Sequence, residues 1–397
     1  MTHIEQMIKD MCPNGVEFKT LGEVCDMKRG STITASQAVA GDIPVIAGGQ
    51  KPAYYHNQSN RQGRNITVAG SGAYAGYVAF WEQPIFVSDA FTVTPKDERL
   101  DIKYIYYYLT NKQEEIHHTK KGSGVPHVHP SSIADFESPL PPLEIQKKIV
   151  ECLDKFSALA AELQAELQMR RKQYEYYRTQ LLTPHSDCNS ATKSDDCNWV
   201  FKPLEEIFEL RGGYTPSKNN PQFWEGGTIP WFRMEDIRTN GRVLSEALLY
   251  ITPEAVKGKG LFEKDSFVLA TSATIGEHAL LAVDALTNQR FTNLKVRKQY
   301  KEKLYTQFIF HYMFKVDEFC KAHTNISGFE SVDMDALRKM PFPIPPLSEQ
   351  KRIADLLDKF ESLTTSLSEG IPAEQAAQQK RYEYYRDLLL TFDRKAV

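Results

Sequence analysis

The chain has 397 residues, 41% of them hydrophobic and 25% charged, the make-up of a folded protein with room for two or three domains. A formal net charge of −3 excludes a protein that coats nucleic acid by bulk positive charge, though not one carrying local basic patches. No apolar run approaches the roughly 20 residues a membrane helix needs, the opening MTHIEQMIKDMCPNG lacks a secretory signal's apolar core, and the six cysteines follow no disulfide spacing, so a cytoplasmic chain with reduced thiols is expected.

Along the chain, an α+β body comes first. IPVIAG from Ile43, NITVAG from Asn65 and GYVAFW from Gly76 read as strands, and a helix is expected near the body's end, around Asp101 to Leu109. AGSGAYAG from Ala69 does not fit GxGxxG and reads as a tight turn. PPLEIQKKIVECLDKF from Pro141 then opens an apolar stripe with steps of four and three: Ile149, Leu153, Phe156, Ala160, Leu163, Leu167, Tyr174, Tyr177 and Leu181, interrupted at Arg170. This is a heptad seam, and residues 144–180 as one helix would span about 55 Å. A helix that long does not bury its seam alone. Within it, AAEL and QAEL form two four-residue units from Ala160; each added unit would lengthen the helix by about 6 Å and turn it by about 40°. The polar segment 184–199 reads as a linker. His185, Cys188 and Cys197 lie in it without a fourth ligand at metal-site spacing.

The second half repeats this plan. Phe18, Lys19, Leu21 and Glu23 recur as Phe201, Lys202, Leu204 and Glu206, and KRGSTITA from Lys28 resembles LRGGYTPS from Leu210, which sets Arg29 opposite Arg211. SFVLAT from Ser266 reads as a strand. YIYYYL from Tyr104 parallels FIFHYM from Phe308, and SGVPHV from Ser123 parallels SGFESV from Ser327. PPLSEQKRIADLLDKF begins at Pro345, 204 residues after its counterpart, and KQYEYYRTQLLT from Lys172 returns 208 residues later as KRYEYYRDLLLT. The second tail is thus four residues longer. Its seam runs Ile353, Leu357, Phe360, Thr364, Leu367, Ile371, Tyr382, Tyr385 and Leu389, and Gly370 and Pro372 should kink or break the helix. Two long helices in one chain could pair antiparallel; a dimerisation coil or an ordinary bundle would show the same seam. The chain therefore divides into a first body at 1–140, a long central helix at 141–183, a linker at 184–199, a second body at 200–344 and a C-terminal helical region at 345–397.

No phosphate loop of the GxxxxGK[ST] type, dinucleotide fingerprint or amino-methyltransferase tetrapeptide is found; Asn220-Pro221-Gln222-Phe223 matches the last poorly. No catalytic residue, metal or cofactor is expected. What stands out is basic, aromatic and glycine residues interleaved in both bodies. In the first these are Arg29, Lys51, Tyr54, Tyr55, Arg61, Arg64, Lys120, Lys121 and His127, which would share one side with His129 if that segment were a strand rather than a plain loop; in the second, Arg211, Tyr214, Lys218, Arg233, Arg238 and Arg290. Lysine and arginine hold phosphates, and arginine, asparagine and glutamine can read base edges.

PPLxxQ, the LDKF tetrad, KxYEYYR and the closing LLT resemble the shared regions of type I restriction–modification specificity subunits. AAELQAEL resembles the short four-residue repeat of one branch of that family, and TPSKNNPQFWEGGTIPW from Thr215 a second recognition domain of that branch. The resemblance implies two target recognition domains, each reading half of a bipartite asymmetric DNA site, joined by an antiparallel helix pair that docks two modification (methyltransferase) subunits, with restriction subunits joining to cleave. It implies no catalysis by this chain. A duplicated coiled-coil scaffold without DNA readout, or a stand-alone methyltransferase or nuclease, are the competing readings.

Overall fold

The computed structural model describes residues 2–122, 124–183, 199–327, 329–365 and 370–395. It divides into two compact units, Met1–Glu166 with Ile371–Val397, and Leu167–Gly370. The division falls inside the long central helix, Leu143–Leu181, which is unbroken over 39 residues as its seam requires. His185, Cys188, Cys197 and nearly all of the expected linker lie outside the described residues.

In unit 1, the strand Glu17–Thr20 pairs antiparallel with Glu137–Leu140, closing the body where it begins and ends. Between them lies a four-stranded antiparallel sheet in the order Cys25–Arg29, Ala90–Pro95, Asn65–Ala69, Val78–Trp81. Asn65–Ala69 is central and buried on both faces, which explains its run of ITVA without polar alternation. A second sheet has Ile43–Ile46 between Tyr54–His56 and Phe86–Val87, the last pairing parallel. The helix Ile102–Asn111 starts on Asp101, whose carboxylate accepts from the amides of Lys103 (2.8 Å) and Tyr104 (3.1 Å).

Unit 2 has the same plan. Val200–Pro203 pairs with Pro341–Ile344. A five-stranded sheet runs Phe208–Gly212, Phe291–Val296, Phe267–Ala270, His278–Leu281, Val243–Leu244, and Ile229–Phe232 sits between Tyr250–Ile251 and Leu286–Thr287, again parallel to the last. The body helix is Thr306–Ala322, longer than its counterpart. The extra strand and the helix Met234–Asn240 come from sequence inserted after Phe232, where unit 1 turns straight back from Ile46 to Tyr54.

The recurrent tail motifs are docking clamps. Gln146, the glutamine of PPLEIQ, is fully buried: its amide oxygen accepts from Asp101 N (2.9 Å), and its amide nitrogen donates to Arg99 O and Pro141 O (both 2.7 Å). Gln350 does the same with Tyr305 N (2.8 Å), Lys303 O (2.8 Å) and Pro345 O (2.7 Å). One side chain thereby satisfies three backbone groups at the start of a body helix and a tail helix. The LDKF aspartates add a second tie. Asp154 accepts from Tyr107 Oη (2.5 Å) and Lys103 Nζ (2.9 Å); Asp358 pairs with His311 Nε2 (2.7 Å), from the position matching Tyr107.

The helix seams pack within each unit. In unit 1, Ile149 and Leu153 are fully buried and Leu163 nearly so, while Phe156 stacks its ring near Tyr382 (6.4 Å) and Tyr385 (5.6 Å). Gln164 accepts from Gln375 at 3.1 Å, so position rises along one helix as it falls along the other: the pair is antiparallel. In unit 2, Leu167, Tyr174, Ile353 and Leu357 are buried, and Tyr177, though 39% exposed, stacks on Phe360 at 5.3 Å. Leu367 lies outside the described residues. The second tail is two helices, Leu347–Thr365 and Gly370–Leu390. Gly370 has φ +78°, and a Cβ there would meet Leu363 O at 2.9 Å, so the break is built on a residue no other side chain could replace without strain. Pro372 then falls in the first turn, where its missing N–H is harmless. The tail ends on unit 1: Leu389 and Leu390 enter its core, Val16 N donates to Asp393 O (2.9 Å), and Arg394 pairs with Glu137 (2.5 Å) over the Phe18 ring.

Candidate nucleic-acid interface

Each body presents a surface built on one backbone junction, where the first strand of its larger sheet leaves and the residues entering the returning strand arrive. In unit 1, Gly30 N donates to Ala90 O (2.9 Å), Ser31 N to Val87 O (2.9 Å) and Gly70 N to Asp89 O (3.0 Å). In unit 2, Gly213 N donates to Phe291 O (2.9 Å), Tyr214 N to Thr287 O (2.9 Å) and Thr271 N to Arg290 O (2.9 Å). A Cβ on Gly30 would lie 2.3 Å from Val87 O and Ser88 O, and one on Gly213 2.3 Å from Asn288 O, so both junctions demand glycine for close approach.

This register corrects the sequence alignment. Gly30 matches Gly213, so Lys28 matches Arg211 and Arg29 matches Gly212; the strand pairings agree, with Lys28 opposite Thr92 and Arg211 opposite Asn293. Arg29 and Arg211 are one residue out of step, and a one-residue slip in a strand puts side chains on opposite faces. Holding the spacing of 183 that separates Phe18 from Phe201 would have given the right match. Arg211 turns inward over the Phe262 ring (4.2 Å) and donates to Lys259 O (2.6 Å) and Gly260 O (3.0 Å), and burial lowers its pKa.

Unit 2 gathers a cleft of about 510 Å³ beside its junction. Lys218, Arg233 and Arg290 line it, separated by up to 72 residues in sequence, together with Trp224, Trp231, Asn288 and Gln289. The indoles meet edge to face at 5.1 Å, and each is pinned by its N–H, Trp224 to Ser217 O and Trp231 to Tyr214 O (both 3.0 Å). Arg233 lies over the Trp231 ring at 6.0 Å, and its Nε, which makes no hydrogen bond among the described residues, faces the carboxylate of Glu235 on the cleft wall at 3.8 Å. Fixed aromatic walls with cations and amides at the rim suit the stacking and hydrogen-bonding faces of nucleotides.

Unit 1 offers a cationic ridge. Arg29 donates to His129 Nδ1 at 2.7 Å, and the His129 ring stacks near that of His127 at 6.0 Å. The two rings lie side by side, but the segment is not a strand: His127 sits in an isolated bridge and His129 precedes the short helix Pro130–Ile133. His127 exchanges backbone hydrogen bonds with Lys121 and bridges to Ser71, in the turn that AGSGAYAG forms.

The comparisons with known proteins match this two-fold construction. A model of the type I restriction modification DNA specificity domain matches the chain twice, at residues 13–169 and 197–375. The chain belongs to that family. A type I restriction enzyme specificity subunit of Escherichia coli is 37% identical over 308 residues, covering 75% of this chain and 72% of the relative. Another from E. coli is 46% identical over 209 residues, 51% of this chain and 52% of that relative, and one from Haemophilus influenzae is 28% identical over 98% of both. Two solved structures share the fold at 17% identity: a chain from work on assembly of the type I restriction–modification system (TM-score 0.61, 95% of this chain and 98% of that one) and the S subunit from Mycoplasma genitalium (TM-score 0.55, 95% and 96%).

For this specificity-domain chain, the remaining sequence candidates fall into two groups. Lys51, Tyr55, Arg64, Lys121 and Arg238 are exposed. Others are spent on the fold. Arg61 donates to Thr92 Oγ1 (3.2 Å), Asn60 O (2.8 Å), Lys28 O (3.3 Å) and Arg29 O (2.9 Å); Tyr54 Oη donates to Ile33 O (2.5 Å); Tyr214 Oη to Ala255 O (3.0 Å); and Lys120 Nζ to Ala73 O (3.4 Å). Asn288, Gln289 and Asp89 escaped the sequence reading because it looked for basic and aromatic side chains, and Trp224 entered it only as part of the segment from Thr215. Among the described residues, His311, Asp358 and Glu361 could each offer one metal-ligand atom within 4.8 Å of the others. Their unit 1 equivalents are Tyr107, Asp154 and Ser157, which form hydrogen bonds but no ligand set, so the role common to both is docking the helix. No helix among the described residues is long and apolar enough to cross a membrane.

Proposed function

We propose that this chain is the DNA-reading component of a type I restriction–modification complex, in which each unit reads one half of a bipartite, asymmetric double-stranded site and the chain itself performs no chemistry. The observation that carries this is the DNA specificity domain matched twice, once per half, over bodies that keep one backbone plan and differ in the residues at their surface. The bodies at 1–140 and 200–344 are the two target recognition domains. The helices at 141–183 and 345–397 form the docking surface for two modification (methyltransferase) subunits, with restriction subunits joining them, in the cytoplasm.

Within the readers, Lys218, Arg233 and Arg290 in unit 2, and Arg29, Lys121 and His127 in unit 1, contact DNA; Lys51, Tyr55, Arg64 and Arg238 are flanking contacts. Arg61, Arg211, Tyr54, Tyr214 and Lys120 act through the loops they hold. The four-residue units inside the central helix set the spacer, since a step of about 40° nearly equals the turn of one base pair. Co-expressing the chain with its modification partner and mapping methylated positions across a genome tests the reading: a single motif of two half-sites with a fixed spacer is expected. Inserting one more AAEL unit should lengthen the spacer and leave both half-sites unchanged. Random methylation, or binding to duplexes that ignores salt, would instead favour a scaffold, because charge-driven DNA contacts weaken steeply as salt rises.

A further inference from the structure

The two backbone junctions place opposite chemistry at the same seat. Asp89 and Arg290 each precede the returning strand by one residue, and each gives its carbonyl to the equivalent amide, Gly70 N at 3.0 Å and Thr271 N at 2.9 Å. The next residue in each case, Ala90 or Phe291, accepts from the junction glycine at 2.9 Å. Both side chains are exposed. The seats are thus fixed by the backbone, independently of what they carry.

Their surroundings are those of the candidate interface. Arg290 lines the unit 2 cleft with Trp224, Trp231 and Arg233, and no partner holds its guanidinium among the described residues. Asp89 accepts a hydrogen bond from Ser71, the residue bridged to His127 on the unit 1 ridge. A carboxylate at a surface that meets phosphates is repelled by them, so it is tolerated where it faces the donors on base edges: the exocyclic amino group of cytosine or adenine. An arginine at the same seat donates to the O6 and N7 acceptors of guanine.

We propose that this seat is a base-reading position in both units, with Asp89 selecting an amino-bearing base in one half-site and Arg290 selecting guanine in the other. The proposal rests on the specificity reading above and assigns it to two residues.

The test uses the full chain with its modification partner and maps methylated motifs for wild type, Asp89→Asn and Arg290→Gln. Asp89→Asn should change the preferred base at one position of one half-site, and Arg290→Gln should shift one guanine position of the other half-site towards adenine. Each should cut discrimination at that position by about 5- to 150-fold and leave the second half-site and the spacer intact. If both seat variants methylate the wild-type motif with unchanged preference at every position, the seat is structural and the assignment fails while the specificity reading stands. A wild-type chain that yields no bipartite motif overturns both. Should Asp89→Asn not accumulate, Asp89→Ser and Arg290→Gln, compared by binding to duplexes with single base-pair changes and by thermal melting, decide the same question.

Discussion

Gln146 and Gln350 make the same three hydrogen bonds in the two units, to within about 0.1 Å, whereas Asp89 and Arg290 occupy one backbone seat with opposite charge. The contrast separates what the repeat must preserve from what it is free to vary. A buried glutamine that satisfies three main-chain groups has no substitute of the same shape and polarity, so both copies keep it. An exposed residue whose position is fixed by its own carbonyl can change without disturbing the fold.

The largest effect should come from breaking a clamp. Gln146→Ala strands Asp101 N, Arg99 O and Pro141 O, and Gln350→Ala strands Tyr305 N, Lys303 O and Pro345 O. At about 1–3 kcal/mol per buried unpaired group, each variant should lose about 3–5 kcal/mol, since some of these groups will find water. Denaturant unfolding gives the loss, and hydrogen exchange should place it in unit 1 for the first and unit 2 for the second. Equal losses would show that the clamps are interchangeable in energy as well as geometry.

Next in size are the junction glycines. Gly30→Ala and Gly213→Ala each force a methyl group to within 2.3 Å of a carbonyl oxygen, and a cost of about 1–3 kcal/mol is expected in thermal melting. Because both junctions carry reading loops, these variants should also weaken DNA binding at their own half-site more than at the other. A variant that melted like wild type would show that the junction backbone can yield.

These features differ in how far the sequence revealed them. The central helix was legible because a heptad seam is a local pattern, and the break at Gly370 followed from a local backbone rule. The PPLxxQ and LDKF motifs were visible as repeats, but their role was not: Gln146 bonds to backbone groups up to 47 residues away, and a carbonyl or amide leaves no mark in a sequence. Likewise Lys218, Arg233 and Arg290 were legible as cations, whereas their meeting in one cleft depends on the fold. Arg61 and Arg211 carry the same signal and are used differently, because a guanidinium that caps carbonyls looks like one that holds phosphates until the surrounding chain is in place. The return of the C-terminal tail to unit 1 had no local signature at all.

A smaller difference between the units concerns acid. Unit 2 buries His278 against Asp317 (2.7 Å) in a setting that also holds Arg242, Phe310 and Phe314, and burial lowers the His278 pKa below the ordinary histidine value of 6.5 despite the carboxylate. In the unfolded chain this histidine takes up a proton as pH falls through about 6.5, while the folded form resists, so stability is full above that pH and is lost below it. For one proton the slope is at most about 1.4 kcal/mol per pH unit. Unit 2 should therefore lose exchange protection between pH 6.5 and 5 ahead of unit 1, and His278→Gln should flatten that dependence. An identical acid response in the variant would place the sensitivity elsewhere.

The finest distinction lies in the second helix tie. Tyr107→Phe removes one donor from Asp154, which keeps Lys103, and should cost about 1 kcal/mol, the net value of an ordinary hydrogen bond. His311→Phe removes the donor to Asp358 but also deletes a buried Nδ1 that has no partner among the described residues. Losing a made bond and an unmade one together should nearly cancel, and the carboxylate left behind, 45% exposed, can turn to water. The unit 1 variant should thus be the more destabilised of the two, although the bond it loses looks equivalent. If His311→Phe proved the costlier, the imidazole would be holding Asp358 and Glu361 together, a bridging role that Tyr107 does not have in unit 1.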